Sequence, residues 1–118
     1  MVIHMKILLS IFCLLILVSC SPTPEVPSDK LVERQGITYE VNSQTPFTGS
    51  SVTYSENGQI QFRRNYKNGK PEGSYEWFYE NGQLGVKENY KDGEPDGLWE
   101  DYHENGQLMM SVNFKNGE

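Results

Sequence analysis

The sequence predicts an all-β domain laid out as a single-layer antiparallel meander of repeated β-hairpins. One phrase occurs three times at an interval of 24 residues, as YSENGQI from Tyr54, FYENGQL from Phe78 and YHENGQL from Tyr102. Glycine stands where the chain would reverse, at Gly58, Gly82 and Gly106 and again at Gly69, Gly93 and Gly117, each preceded by Asn or Asp. Asn-Gly or Asp-Gly between alternating runs is the strongest short-range hairpin signal, because these residues tolerate the positive φ of a tight reversal. The alternation is present in the second strand of each unit: Ile60, Phe62 and Tyr66, then Leu84, Val86 and Tyr90, then Leu108, Met110, Val112 and Phe114.

Residues 1–19 read as a signal peptide. Lys6 precedes an apolar run from Ile7 to Val18 that is broken only by Ser10. At about twelve residues the run is short of the roughly 20 needed to cross a bilayer, but it suits the apolar region of a secretory signal; Met5 is an alternative start. Leu17-Val18-Ser19-Cys20 resembles the lipobox of bacterial lipoproteins. That resemblance implies cleavage before Cys20, acylation of its thiol with diacylglycerol and palmitate, and a lipid-anchored place in a bacterial cell envelope. Ser21 in place of aspartate resembles the pattern that sorts to the periplasmic face of the outer membrane where two membranes exist. With Cys13 lost and Cys20 capped by lipid, the mature chain has no thiol for a disulfide, a metal or a nucleophile.

Residues 20–34 comprise the lipidated cysteine and a Pro-rich tether, SPTPEVPSDK, with no apolar periodicity. It should extend at about 3 Å per residue and hold the domain roughly 30 Å from the membrane, with no other task. The repeat domain then covers 35–118, as an entry strand over 35–48 and units 49–72, 73–96 and 97–118.

Side-chain faces decide the register. A two-residue turn on Asn-Gly would set Leu108 against His103 and Met110 against Asp101. A three-residue Glu-Asn-Gly turn with left-handed glycine and a following bulge pairs Tyr54 with Ile60, Phe78 with Leu84 and Tyr102 with Leu108, and places Val52 opposite Phe62 and Leu98 opposite Val112. Only the second arrangement gathers an apolar face. On it, the opposite and polar face would carry Tyr75, Trp77, Tyr79, Trp99, Asp101 and His103 beside Arg63, Lys87 and Asn89. Aromatic rings projecting among charges can stack on sugars or grip a peptide, so Tyr75, Trp77, Tyr79, Trp99 and His103 are the candidate ligand- or partner-binding residues. Trp77 and Tyr79 have no aromatic counterpart in the other units; Tyr75 and Trp99 share one repeat position and also suit packing between units.

The units resemble the MORN-repeat variant family of bacteria, read roughly as G-x-W-x-x-Y-x-x-N-G-x-L followed by an N-Y-K-[ND]-G strand end. Gly97, Trp99, Tyr102, Asn105, Gly106 and Leu108 fit that pattern; Tyr75 and Ser51 replace the tryptophan in the second and first units. The resemblance covers about residues 49–118, and GITYEVNSQTPFTG, 36–49, is similar to the entry strand that precedes such arrays. It implies the MORN-like meander. Members of the family are often labelled as the antitoxin component of a toxin–antitoxin pair, and eukaryotic MORN proteins are implicated in membrane association, scaffolding and dimerisation.

Charge and residue type narrow the chemistry. Sixteen acidic residues face ten basic ones, and loss of the signal removes only Lys6, which disfavours nucleic acid as a partner. The bases gather early, as Arg63, Arg64, Lys67 and Lys70, whereas residues 73–118 hold ten acids and three bases. DGEPDG, 92–97, has the alternating oxygen donors of a calcium loop, but the preceding unit has Lys70 in that series and His103 stands where the closing glutamate belongs. His103 is the only histidine after the signal, leaving no zinc set and no catalytic constellation. No metal, cofactor or enzymatic activity is expected. The expected function is a noncatalytic envelope lipoprotein that offers its repeats as a protein- or cell-wall-glycan-binding scaffold, with an antitoxin or immunity protein as the alternative. The last strand would lack a partner, which favours self-association or a partner along that edge.

Overall fold

Each Glu-Asn-Gly tip closes as the expected three-residue turn. In the first, Gly58 N–H donates to Ser55 O at 2.9 Å, Ser55 N–H donates to Gln59 O at 2.8 Å, and Gly58 has φ +81°. The tips at Gly82 and Gly106 repeat this geometry with φ +83° and +89°. The Asn side chain locks each tip, because Asn57, Asn81 and Asn105 accept at Oδ1 from the N–H two residues on. The Lys-Asn-Gly reversals are tighter. Asn68 and Gly69 both have positive φ, as do Asp92 and Gly93, which is the type I′ pattern that matches the twist of two antiparallel strands.

The structure, a computed structural model, describes residues 23–118. The signal peptide expected over 1–19 and the lipid site at Cys20 lie outside the described residues. The strands are β1 (Glu25–Pro27), β2 (Leu31–Arg34), β3 (Ile37–Glu40), β4 (Gly49–Tyr54), β5 (Ile60–Lys67), β6 (Lys70–Phe78), β7 (Leu84–Lys91), β8 (Glu94–Pro95), β9 (Gly97–Tyr102) and β10 (Leu108–Phe114). They form one sheet in the order β1-β4-β5-β6-β7-β9-β10, with β8 also on β7, and a separate β2–β3 hairpin. All pairs are antiparallel except β1 with β4. The predicted meander is therefore the observed architecture.

The register agrees with expectation at the tips and departs from it one residue later. Tyr54 pairs with Ile60, Phe78 with Leu84 and Tyr102 with Leu108. A second bulge, at Gln61, Gly85 and Met109, then shifts each ladder by one residue. Val52 consequently lies opposite Arg63, Phe62 opposite Thr53, and Val112 opposite Trp99 rather than Leu98. Because side chains alternate between faces and directly paired residues share one, the shift reassigns both faces. Tyr75, Trp77 and Trp99, expected on a polar face, share their face with Phe62, Val86 and Val112. The opposite face carries a row of charge that alternates in sign, Arg63 against Glu76, Glu76 against Lys87 and Lys87 against Glu100.

Neighbouring units interlock at one position per repeat. Gly69 N–H donates to Phe47 O, Gly93 N–H to Pro71 O and Gly117 N–H to Pro95 O, at 2.7, 2.9 and 2.9 Å. Where the ladders slip beyond this point, an asparagine side chain bridges the gap. Asn65 Nδ2 donates to Ser74 O at 2.9 Å and Asn89 Nδ2 to Leu98 O at 2.7 Å, so Asn89 is a structural bridge.

The buried core lies at the amino-terminal end of the sheet. Phe47 and Val52 are its buried apolar residues, at 4% and 3% exposure, with Thr38 and Ser51 beside them. The segment expected to be only a tether helps enclose them: Glu25–Pro27 pairs in parallel with Ser50–Val52, Ser50 N–H donates to Pro24 O at 2.9 Å, and Arg63 pairs with Glu25 at 3.4 Å. Leu31–Arg34, also assigned to the tether, pairs with β3. Proline lacks a donor, but an edge contact that needs its carbonyl is open to it, so a Pro-rich strand can cap a sheet. Gly49 permits the crossing, since a Cβ there would lie 2.6 Å from Pro24 O and 2.9 Å from the Phe47 ring.

Candidate functional site

On the aromatic face, rings follow one another from unit to unit. Phe47 meets Tyr66 at 5.8 Å between centroids, Phe62 stacks on Tyr75 at 6.1 Å, and Trp99 lies between Tyr90 at 5.5 Å and Phe114 at 4.6 Å. Trp99 Nε1 also donates to Asn89 O at 3.0 Å. Arg64 sits over the Tyr75 ring at 5.1 Å and the Tyr90 ring at 5.7 Å, contacts of the cation–π kind. Glu88 pairs with Tyr75 across the ladder and accepts from Tyr90 Oη at 2.6 Å. Burial raises the Tyr90 pKa first and the hydrogen bond and charge of Glu88 raise it further, to about 12 against Arg64's opposing pull. Tyr75 is raised for the same leading reason, burial, with Glu88 adding to it. These contacts engage Tyr75 and Trp99 in packing between units.

Trp77 and Tyr79 make a different arrangement at the tip of the second unit. Their rings meet edge to face at 4.6 Å, on a floor supplied by Gly85. A Cβ at Gly85 would stand 2.3 Å from Trp77 Cζ3 and 2.9 Å from Tyr79 Cε2, so this bulge position accepts the indole only as glycine. Tyr79 Oη reaches across to the third unit and donates to Tyr102 O at 2.8 Å, while Asn81 Nδ2 donates to Glu104 O at 2.9 Å. The second and third tips are thereby latched. At the first tip Ser55 occupies the place of Tyr79 and donates within its own turn to Asn57 Oδ1, and Asn57 Nδ2 turns inward to Gln59 Oε1 at 3.4 Å.

A cleft opens at this unlatched junction. It consists of two adjoining hollows of about 450 and 340 Å3, both of which touch Gln61 and Glu80. Trp77 and Tyr79 line the smaller with Glu104, and Glu56 lines the larger. Three carboxylates thus stand beside four aromatic residues, Trp77 and Tyr79 with Tyr54 and Phe78, and neither hollow has a lysine or arginine in its wall. Of the five residues singled out in the sequence, the fold brings Trp77 and Tyr79 together. It leaves Tyr75 and Trp99 in the packed face and His103 exposed on the third tip. Sequence reasoning missed Gln61, Glu80, Glu104 and Gly85. Gly85 carried a signal, being a glycine outside any turn motif at a position held by Gln61 and Met109 in the other units.

The geometry defines a repeat protein: one β-hairpin per unit, each unit bonded to the next at a fixed position. The model of the MORN repeat variant matches residues 47–68, 71–92 and 95–116, more than half of the chain, and the chain belongs to that family. The matches begin at Phe47, Pro71 and Pro95, the carbonyls that receive the interlocking glycine N–H groups. Neither a curated protein nor a solved structure is a match for the chain.

Proposed function

We propose that this protein is a noncatalytic interaction module, a MORN-repeat scaffold that recognises a protein or cell-wall glycan and is held in a bacterial envelope by lipid on Cys20. Repeat arrays of this kind suit binding because each unit adds surface to a continuous face. The observation that carries the reading is the junction of the first two tips, where no latch forms from Ser55 or Asn57 and the aromatic pair Trp77 and Tyr79, with Glu56, Glu80 and Glu104, lines an open cleft. The apolar run ending at Leu17-Val18-Ser19-Cys20 supports the anchor. Several acyl chains on one cysteine would hold the module firmly, since each buried methylene contributes about 0.8 kcal/mol.

The test is affinity capture from the envelope fraction of the source cells, with the full chain as bait beside its Trp77→Ala/Tyr79→Ala variant. A protein or glycan retained by the first and lost from the second is the expected result. Equal retention by both would remove the tip cleft from the reading, and a captured protein toxin would turn it toward the immunity role. In the same cells, Cys20→Ser should move the chain from the membrane to the soluble fraction; a variant that stays membrane-bound would exclude the lipid anchor.

A further inference from the structure

We infer that the tip cleft takes a guanidinium or ammonium group presented by a basic, extended segment of a protein partner. This rests on the interaction reading above and names the chemistry of its ligand. The wall of the cleft is acidic and aromatic: Glu56, Glu80 and Glu104 stand at the tips, and Trp77 and Tyr79 line the hollow between them. The faces of indole and phenol rings are negative, so they attract a cation, and a carboxylate beside them supplies directed hydrogen-bond acceptors to its N–H groups. A guanidinium satisfies both, with a flat surface for the rings and donors at its rim.

The spacing of the tips adds a second requirement. Each unit contributes two strands, and strands lie about 4.7–4.9 Å apart, so equivalent tip carboxylates recur at roughly 10 Å. Glu56, Glu80 and Glu104 therefore form a row along one margin of the sheet. A segment in the polyproline II conformation advances about 3.1 Å per residue with three residues per turn, so basic residues three apart lie on one side and keep step with that row. The favoured segment has Arg or Lys at every third position, its central cation over Trp77 and Tyr79. The unlatched first tip admits it; the second and third tips are tied by Tyr79 Oη and Asn81 Nδ2 and leave less room.

The experiment is a titration of the isotopically labelled full chain, followed by the indole and backbone N–H resonances. The probes are an amidated seven-residue peptide with Arg at positions one, four and seven on a Gly-Ser background, spermidine, and chitotriose. The peptide should shift the Trp77 indole and the Gln61 and Glu80 amides while the Trp99 indole stays still. Affinity should fall at least tenfold in Glu80→Gln/Glu104→Gln, whose exposed tip side chains leave folding intact, and should fall again in 0.5 M salt. A Trp77 indole unmoved by the peptide, or equal affinity in the double glutamine variant, overturns the inference. Chitotriose shifting Trp77 where the peptide does not would make the cleft a sugar platform, and spermidine binding as tightly as the peptide would remove the protein partner as the source of the cation. A silent titration on a chain that still captures its partner through Trp77 and Tyr79 sinks the cation assignment alone, whereas failure of capture removes the interaction reading itself.

Discussion

Trp77 and Gly85 occur together in the second unit and neither recurs, since the first unit has Thr53 and Gln61 at those places and the third has Asp101 and Met109. The coupling is steric, as a methyl at Gly85 would meet the indole at 2.3 Å and the ring has strand on both sides. Gly85→Ala should cost about 1–3 kcal/mol of stability, the usual range for overpacking. In a Trp77→Thr background the same change should cost less than about 1 kcal/mol, and a double-mutant cycle by thermal unfolding measures the difference. Additive effects would mean that the indole does not lie over Gly85. Tyr90 gives a prediction in pH. Its folded pKa of about 12 exceeds the ordinary tyrosine value, so the neutral hydroxyl is favoured by folding. That contribution is complete below about pH 10 and is lost as pH rises from there through about 12. Stability should therefore fall less steeply over that alkaline window in Tyr90→Phe than in the wild type, and a parallel decline in the two would contradict the assigned environment.

At the scale of elements, turns with like backbone geometry differ in what surrounds them. Gly58 and Gly69 have φ of +81° and +78°, so alanine strains the backbone about equally at both, by about 1–2 kcal/mol. A Cβ at Gly58 meets open space, whereas at Gly69 it would lie 2.3 Å from Ile37 Cγ2 and 2.8 Å from Thr38 O, where the entry hairpin β2–β3 crosses the first reversal. Gly69→Ala should thus be the more destabilising by at least about 1 kcal/mol in denaturant titration, a margin of the size overpacking brings. Equal losses would detach the entry hairpin from the array. Much of this level was legible in the sequence. Asn-Gly and Asp-Gly mark every reversal of the three repeat units, and Tyr54, Phe78 and Tyr102 find Ile60, Leu84 and Leu108 as the turn chemistry requires. The second bulge was not legible, because its residues Gln61, Gly85 and Met109 share no chemical character. One unmarked residue per unit was enough to move Tyr75, Trp77 and Trp99 to the other face. The prolines before β2 misled for another reason: they announce an extended chain, and a tether and an edge strand are both extended.

Across the described residues, enclosure declines from the first unit to the third. Val52 and Phe47 are buried beneath β1 and the entry hairpin, while Leu108, Met109 and Met110 on β10 are each more than half exposed. Such a gradient predicts that amides of β4 and β5 exchange with solvent most slowly and those of β10 fastest, because opening costs least where few apolar contacts are broken. Uniform protection along the sheet, read by hydrogen–deuterium exchange, would argue for a more even structure. The face on which Trp77 lies is central, since the seating of its ring over Gly85 and against Tyr79, and with it the aromatic wall of the cleft, follows from the one-residue shift after each tip. Nuclear Overhauser contacts of the Trp77 indole in the full chain test it most directly. The shifted register requires strong contacts to Gly85 Hα, to the Tyr79 ring and to the Phe62 and Val86 side chains. Contacts to Arg63 and Lys87 in their place would put the indole on the charged face and contradict it.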